Sequence, residues 1–552
     1  MKGARCYHPR PLETLHPGPG PHPCQSRRHG LAAWAALVCF ALLAGCMGLP
    51  DVSERHWDRA LPARSDSALV RTAQASVPPG ELSGLRLVAS GPQALRLRLA
   101  LIDAASVSLD IQVYQFKGDA SGRLLMRALR DAAARGVRVR LLVDDLYTAG
   151  DDALWLGLAA TPGVEVRLFN PFMAGRDSHL SRLVESALGS DRMHRRMHNK
   201  LLVADGALAI AGGRNIADEY FLPAPRGSYV DIDVLVAGAL VPQMAVGFDL
   251  FWNSEHAHAL HTIVDEPLAP APRQRAFARA IEAPCSSAMC QALGDVLDGD
   301  DPLLAELSLG RMAMHVAIAQ VAYDSPDKIE NEQASQDMAM LATSGTQVRL
   351  LVEQAMRQAR RELLIVSPYL IPGAAWVAGL ADLQRRGVRV TLLTNSLAAT
   401  DEPMAHLGYR RYRAAILAHD VALYEWSPAR GSRVLREMVV GGTVQRLHAK
   451  AAIVDREVLY LGSMNFDPRS RDLNTEFGLL VRCPALAEEV HALVDRLKRE
   501  GALRLHLDAD GRTLYWTVGD EGPRLDGFEP DTDFGSRLLL DLLEPLVPEE
   551  LL

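Results

Sequence analysis

Two stretches of the chain, 250 positions apart, carry the same chemically active residues at the same spacing. The first copy reads His198-Asn199-Lys200, then Asp205, then Gly212-Gly213-Arg214-Asn215. The second copy reads His448-Ala449-Lys450, then Asp455, then Gly462-Ser463-Met464-Asn465. A single histidine two residues before a lysine is common and indicates little. A repeat that keeps the histidine, lysine, aspartate, glycine and asparagine in register predicts two half-sites of one site.

Two histidines and two lysines in one site are suited to a phosphodiester. Phosphoryl transfer needs a nucleophile, an acid for the leaving oxygen, and positive charge around the phosphate oxygens. We expect one neutral histidine to attack phosphorus and form a covalent intermediate, while the other, protonated, donates to the departing alcohol. The two ammonium groups supply the positive charge, so the sequence predicts neither a metal nor another cofactor.

The spacing also predicts how these side chains are positioned. Residues i and i+2 of a strand share a face, so His198 and Lys200 should point the same way. Asp205-Gly206 is a strong hairpin signal, and the returning strand would bring Asn215 beside them. The predicted catalytic residues are His198, Lys200, Asp205, His448, Lys450 and Asp455. For Asp205 and Asp455 a structural role is the alternative.

A second set of residues is predicted to support the phosphate or the histidines. An acid follows each copy on the next strand, and a carboxylate against one imidazole nitrogen would fix the tautomer and the ring orientation. Asp231 and Glu476 are the candidates, with Asp233 as the alternative to Asp231. The predicted phosphate-binding and supporting residues are Gly213, Asn215, Asp231, Ser463, Asn465 and Glu476.

Strands and helices alternate around both copies, which predicts an α/β fold. The first half should place strands at 107–114, 137–144 and 164–169 and a helix at 122–135. The second half should place strands at 362–367, 388–393 and 421–424 and a helix at 374–386. Because both halves show the order β-α-β-β before the histidine, the repeat is one of fold. Tyr114 and Tyr369 end the first of these strands, where they would line the cleft or, as we favour, the core.

The N-terminus has the features of an export signal. Arg27-Arg28 precede an apolar run over 31–43, and Leu43-Ala44-Gly45-Cys46 follows. This tetrapeptide resembles a bacterial lipobox, which implies cleavage before Cys46 and lipidation of its thiol. Met47 at the next position then favours the outer membrane over the inner. An uncleaved membrane anchor over 31–49 is the alternative. Either interpretation places the body in the cell envelope, outside the cytoplasm.

Composition limits the classes of partner. The 552 residues carry a net charge of −8, and residues 1–45 hold five basic side chains against one acidic one, so the remainder is more acidic still. An acidic body argues against a nucleic-acid partner. The sequence leaves the oligomeric state open and is compatible with a monomer. Cys285 and Cys290 are predicted either to form a disulfide or to remain two thiols.

The predicted organisation has six segments. They are a signal peptide (1–45), a tether (46–85), a first α/β domain (86–265), an insertion or linker (266–345), a second α/β domain (346–500) and a C-terminal extension (501–552). The leucine-rich end, 534–552, is expected to cover the core, with an amphipathic segment on lipid as the alternative.

The two copies resemble the phospholipase D superfamily, whose signature is His-x-Lys-x4-Asp-x6-Gly-[Gly/Ser]-x-Asn. The resemblance implies two α/β sandwich domains related by a pseudo-twofold axis, with mixed sheets flanked by helices and one active site at their interface. A narrower likeness is to bacterial cardiolipin synthases of the C type. It is carried by His198–Lys200, Gly212–Phe221, Val230–Leu235, Leu447–Lys450, Asn465–Ser470 and Leu473–Glu476.

This likeness implies a phosphatidyltransferase that acts on phospholipids at a membrane surface. Superfamily habit implies His198 as the nucleophile and His448 as the acid and base. The lipobox departs from the pattern, because synthases of this superfamily generally work at the inner membrane. We therefore expect a cardiolipin synthase and keep three alternatives: a hydrolase that releases phosphatidic acid, a secreted nuclease, and a non-catalytic lipid-binding lipoprotein.

Overall fold

The computed structural model describes residues 49–52, 55–172, 176, 194–223, 227–264, 270–330, 347–434, 445–520, 522–527 and 529–544. The strands of the first half are β1 Ser83–Val88, β2 Ser108–Val113, β3 Arg138–Asp144, β4 Val164–Phe169, β5 Leu201–Ala204, β6 Leu208–Gly212, β7 Ser228–Val230, β8 Asp233–Gly238 and β9 Ala257–Ala259. The remaining strands are β10 His315–Tyr323, β11 Glu362–Val366, β12 Arg389–Asn395, β13 Ala422–Trp426, β14 Gln445–Leu447, β15 Ala451–Val454, β16 Val458–Gly462, β17 Phe477–Arg482, β18 Ala502–Leu507, β19 Leu514–Thr517 and β20 Arg524–Asp526.

Helices flank these strands. Up to β10 they are Ala68–Ser76, Gly91–Ala104, Ala120–Ala134, Asp152–Ala159, Asp218–Phe221, Leu240–Asn253, Leu260–Ile263, Pro270–Ile281, Ser287–Leu297 and Pro302–Ser308. After β10 they are Val348–Arg357, Gly373–Arg385, Pro403–Arg410, Arg413–Leu417, Pro428–Val434, Pro484–Gly501 and Phe534–Leu543. Shorter helical turns cover Asp145–Tyr147, Pro326–Ile329 and Arg469–Leu473.

The two halves form sheets of the same topology. In the first half the strand order is β1-β8-β6-β5-β2-β3-β4-β9, in which β2, β3 and β4 are parallel and all other neighbours are antiparallel. In the second half the order β10-β17-β16-β15-β11-β12-β13-β18 has the same directions. The predicted mixed α/β fold with two repeats is therefore confirmed.

Strand β10 joins the two sheets. Its first residues pair with β1, from Ala317 opposite Ser83, and its later residues pair with β17, from Ile318 opposite Arg482. A separate parallel pair, β7 with β14, also takes one strand from each half. The sheets share one hydrophobic core, which includes Leu85, Val203, Val234, Leu364, Ile453 and Leu479.

Local sequence accounts for the elements that were predicted. The helix Ala120–Ala134 begins where the Asp119 side chain accepts a hydrogen bond from Gly122 N, and it buries Leu125 and Leu129. Gly136, just beyond it, has φ +94°, a conformation that glycine adopts without strain. The hairpin after β5 has Asp205 and Gly206 both at positive φ, as the Asp-Gly pair predicts.

Three predicted segments need correction. The tether prediction for 46–85 does not hold from Arg55 onward: that side chain donates to Ala257 O, the helix Ala68–Ser76 packs on the body, and Ser83–Val88 is a strand. The linker 266–345 supplies β10, which hydropathy alternation did not reveal because its exposed positions include the apolar Val316 and Ile318. The extension from 501 begins with β18, which pairs with β13 and so belongs to the second sheet.

Three further predictions concern the N-terminal anchor, the cysteine pair and the C-terminal segment. The signal peptide and Cys46 lie outside the described residues. Among the helices of the described ranges, none combines the length and the apolar composition that crossing a membrane requires. Cys285 and Cys290 form a disulfide. In the C-terminal helix Phe534–Leu543, Leu540 is buried against Leu397 and Leu407, as expected of a core-covering segment, whereas Phe534, Leu538 and Leu542 are exposed.

Candidate active site

Both histidines line one cavity of about 530 Å³. His198 stands just before β5 and His448 just before β15, so the histidines and lysines lie in extended segments next to the strands rather than within them. The cavity wall takes side chains from both halves of the chain. It includes Tyr114, Tyr147, Asn215, Tyr220, Tyr229, Tyr369, Asp401, Glu402, Asn465, Asp467 and Arg469. The predicted half-sites therefore form one site.

Each histidine segment is held by the opposite half. The amide of His198 donates to Thr475 O at 2.9 Å, and the amide of His448 donates to Val230 O at 2.8 Å. Thr475 directly precedes Glu476, and Val230 directly precedes Asp231. The main chain thereby brings each acid to the histidine of the other copy.

The orienting acids are exchanged between the halves. Nδ1 of His198 lies 3.0 Å and 3.1 Å from the two carboxylate oxygens of Glu476. Nδ1 of His448 lies 2.6 Å from Oδ2 of Asp231. A carboxylate accepts the Nδ1 proton and leaves the Nε2 lone pair free. Asp233, the alternative to Asp231, instead pairs with Arg98 at 2.9 Å and Arg214 at 3.4 Å, which assigns the contact to Asp231.

Burial decides the protonation of the histidines. It lowers the pKa of His198 to about 4, although Glu476 acts in the opposite direction. Burial, with the Lys450 ammonium, lowers the pKa of His448 well below its usual value. Burial would raise the pKa of Glu476, but His198 and Lys200 hold it below its usual value. At neutral pH His198 is thus a neutral base beside an ionised carboxylate.

The two lysines lie beside the histidines and are buried. Lys200 Nζ donates to His198 O at 2.7 Å, and Lys450 Nζ donates to His448 O at 2.6 Å. Lys450 Nζ also lies 2.9 Å from Nδ1 of His448. Burial lowers the pKa of Lys450 to about 8, and burial together with Lys450 lowers that of Lys200 well below its usual value. Because the Lys450 ammonium lowers the pKa of Lys200, an anion bound beside both would stabilise their charged forms.

The asparagines occupy equivalent places with different partners. Asn215 Nδ2 donates to the Tyr220 hydroxyl at 2.8 Å, and its Oδ1 accepts from Gln115 N at 3.2 Å. Oδ1 of Asn465 is buried and has no hydrogen-bond partner among the described residues. Both side chains line the cavity.

Gly213 and Ser463 each lie against the orienting acid of their own copy. A Cβ at Gly213 would lie 2.1 Å from Oδ1 of Asp231, so no side chain fits there. The hydroxyl of Ser463 donates to the Glu476 carboxylate, and Phe477 N donates to that hydroxyl at 2.9 Å. Both residues therefore support an orienting acid, rather than lining the cavity.

The predicted catalytic role of Asp205 and Asp455 is not supported. Asp205 accepts hydrogen bonds from the backbone N–H groups of residues 106–108 and from the Ser67 hydroxyl at 2.6 Å. Asp455 accepts from the backbone N–H groups of residues 360–362. Each lies at the end of its strand away from the histidine and fixes the start of the neighbouring strand. These contacts favour the structural alternative.

Several cavity residues were either assigned to the core, as Tyr114 and Tyr369 were, or not predicted at all. The ring of Tyr114 meets His198 edge-on at 5.0 Å between centroids, so the core role favoured for Tyr114 was wrong. Tyr220 and Tyr229 flank His448 at 5.2 Å and 5.0 Å. Tyr229 and Tyr369 both donate to Asp401, at 2.8 Å and 2.9 Å.

The sequence held a signal for one of these residues. Tyr220 lies five positions after Asn215, just beyond the repeated motif and within the stretch Gly212–Phe221 that carries the narrower likeness, and could have been found there. Asp401 has no motif around it. It reaches the cavity because it lies on the loop after β12, at the carboxyl ends of the parallel strands.

Comparisons with known proteins agree with this geometry. The family model described as "Cardiolipin synthase, PLD-like domain" matches residues 99–238 and 352–498, one match for each half. "Cardiolipin synthase C" of Escherichia coli (strain K12) is 34% identical over 479 residues, which are 86% of this chain and 97% of that protein. A "Cardiolipin synthase" of Staphylococcus aureus (strain Mu50 / ATCC 700699) is 22% identical over 75% of this chain and 67% of its own length.

A solved structure has the same fold. The crystal structure of phosphatidylserine synthase from Haemophilus influenzae Rd KW20 matches with a TM-score of 0.53 and 14% identity, covering 85% of this chain and 95% of that one. At this identity the likeness concerns the fold.

Proposed function

The chain belongs to the cardiolipin synthase family of phospholipase D-like enzymes, and we propose that it makes cardiolipin by transferring a phosphatidyl group between phospholipids. The donor is a phospholipid such as phosphatidylglycerol, and the acceptor is the headgroup alcohol of a second phospholipid. The single observation that carries the proposal is the crossed pair, in which each histidine is oriented by an acid of the other half. In such a site one imidazole can attack a phosphorus atom while the other donates a proton to the leaving oxygen.

In the first half-reaction Nε2 of His198 attacks the donor phosphorus. Glu476 holds the Nδ1 proton and stabilises the positive charge that develops on the ring. His448, protonated in the complex with the anionic lipid, donates its Nε2 proton to the departing headgroup alcohol. The P–O bond to that alcohol breaks as the P–N bond forms, and the product is a phosphatidyl-histidine. Lys200, Lys450 and the two asparagines hold the phosphate oxygens.

In the second half-reaction the acceptor reverses these steps. His448, now neutral, takes the proton of the acceptor hydroxyl, whose oxygen attacks phosphorus and releases His198. Burial favours the neutral form of His448, which suits it to this step. The reaction exchanges one phosphodiester for another, so it needs no external energy source.

Hydrolysis to phosphatidic acid is the second candidate, because water can resolve the same intermediate. The polar cavity wall favours hydrolysis, because polar side chains can hold water. The wall contains Asp401, Glu402, Asp467, Lys117 and Arg469. The acidic charge of the chain argues against the nuclease alternative.

We place the protein in the bacterial envelope, on a membrane surface. The supporting observations are the N-terminal signal pattern, Cys46 in its lipobox-like context, and the water-insoluble substrates that the family acts on. The outer membrane is favoured by Met47, and the inner membrane is the alternative.

Mass spectrometry of lipids after incubation with purified protein tests the proposal. With phosphatidylglycerol vesicles, alone or mixed with phosphatidylethanolamine, we expect cardiolipin from the wild type and none from His198→Ala. His419→Ala, an exposed histidine, is the matched control and should retain activity. Phosphatidic acid in place of cardiolipin would select the hydrolase. Identical lipids with wild type and His198→Ala would support the non-catalytic alternative.

A further inference from the structure

A second cluster of ionisable side chains lies away from the cavity, where the first half meets the segment that leads to the second. Glu255 and His256 lie in the turn between the helix Leu240–Asn253 and β9. Asp327 lies in the helical turn Pro326–Ile329, and Glu330 directly follows it. None of the four lines the reaction cavity.

The imidazole of His256 is buried and faces these acids. Its side chain is 9% exposed, and Nε2 is buried and has no hydrogen-bond partner within the described part of the chain. The nearest carboxylate oxygens are Oδ1 of Asp327 at 3.4 Å and Oε1 of Glu330 at 3.8 Å. The ligand atoms of Glu255, His256 and Glu330 all lie within 4.8 Å of one another.

The His256–Asp327 separation of 3.4 Å has the length expected of two ligands that share a cation, and the His256–Glu330 separation of 3.8 Å is slightly longer. An N–H to carboxylate hydrogen bond would bring the two atoms to about 2.7–2.9 Å. Two ligands that share a cation at about 2.0–2.2 Å lie roughly 3.0–3.6 Å apart. Three carboxylates around one imidazole also leave a negative charge that a divalent cation would balance.

We propose that Glu255, His256, Asp327 and Glu330 bind one divalent transition-metal cation, zinc or manganese. An imidazole with carboxylates suits these ions, whereas magnesium and calcium prefer oxygen ligands alone. Three of the ligands are on the surface or only partly covered, so an ion can enter from solvent. The cation takes no part in the proposed phosphatidyl transfer.

The cation would link the turn before β9 to the helical turn after β10, close to the residues that anchor the His198–Glu476 pair. The carbonyl of His256 accepts from Asn170 N at 2.8 Å, and Asn170 Nδ2 donates to Arg195 O at 2.8 Å, three residues before His198. On the other side Asp324, three residues before Asp327, accepts from Glu476 N at 3.1 Å. The bound ion would thus stabilise the folded protein at the point where both partners of the His198–Glu476 pair are anchored.

Metal content and thermal unfolding of the full chain test this site. After chelator treatment and buffer exchange, the protein is incubated with ZnCl₂, MnCl₂, MgCl₂ or CaCl₂, desalted and analysed for bound metal. We expect about one more equivalent of zinc or manganese in the wild type than in His256→Ala, and a higher Tm with the ion that only the wild type shows. Magnesium and calcium should give neither effect.

Two further variants make the result decisive. Glu255→Gln/Glu330→Gln changes exposed side chains, so it should fold normally and yet lose the same equivalent and the same Tm rise. His419→Ala removes an exposed histidine elsewhere and should retain both. Equal metal content and equal Tm rise in the wild type and in both ligand variants would overturn the proposal, as would a wild type that binds no zinc or manganese. An equal response to calcium would overturn the assignment of the ion.

Discussion

The carboxylate of Glu476, in the second half of the chain, lies 3.0 Å from Nδ1 of His198, in the first half. Asp231 and His448 make the reciprocal contact at 2.6 Å. Neither half therefore holds a complete set of nucleophile and orienting acid. A separated half would lack the tautomer control that the chemistry requires.

Replacing Glu476 by Gln tests this dependence. An amide can donate to Nδ1 and so place the ring proton on Nε2, which removes the nucleophilic lone pair. We expect kcat to fall on the order of 10³–10⁴-fold, as when the acid of a catalytic triad is made an amide. The matched control is Glu457→Gln, an exposed glutamate of the same half. A loss of less than about 10-fold in Glu476→Gln, measured as initial rate on vesicles, would show that the contact does not orient the nucleophile.

The pH dependence should follow Lys450. Burial lowers its pKa to about 8, so the ammonium loses its proton, and its hold on the phosphate, as pH rises through that value. We expect kcat/KM to fall above about pH 8 in the wild type. In Lys450→Arg the side chain stays charged, and this alkaline fall should move to higher pH even if activity is lower throughout.

A partly buried lysine that does not line the cavity provides the comparison. Lys498→Arg, in the helix Pro484–Gly501, should leave the profile unchanged. An alkaline fall at the same pH in Lys450→Arg and in the wild type would assign that ionisation to another group.

Asp455 should matter for stability rather than for rate. Its carboxylate accepts from three successive backbone N–H groups, and these bonds hold its pKa below the usual value against the opposing effect of burial. Asp455→Asn should lower the free energy of unfolding by about 1–3 kcal/mol at pH 7, with kcat nearly unchanged. Because a lowered pKa stabilises the fold only above the unfolded value near 3.8, the difference from wild type should shrink as the pH falls below it.

Denaturant unfolding monitored by circular dichroism gives the free energy, and lipid assays give the rate. A variant that is as stable as the wild type but catalytically inactive would show that Asp455 takes part in the reaction.

The sequence predicted much of the site because its residues are local to a repeated motif. Within each copy the histidine, lysine and asparagine span 17 positions (215−198 and 465−448), and the hairpin between them brings them together. The orienting acids could be named for the same reason. Their exchange between halves could not, because it depends on how the two sheets pack.

Other features depend on contacts that leave no local signal. Asp401 reaches the cavity from a loop after a parallel strand, and two tyrosines distant in sequence donate to it. Strand β10 pairs with a different sheet at each end and exposes Val316 and Ile318, so its hydropathy does not alternate. His256 and Asp327 are 71 positions apart and meet only in the folded chain.

Mapping the covalent intermediate tests the central claim most directly. His448→Ala is incubated with a phosphatidyl ester whose leaving group, such as p-nitrophenol, needs no acid, so the intermediate forms but lacks the base that resolves it. After quenching at alkaline pH and proteolysis, we predict that mass spectrometry finds the phosphatidyl adduct on the peptide that contains His198. An adduct on the His448 peptide of His198→Ala, with none on His198 in His448→Ala, would contradict the account.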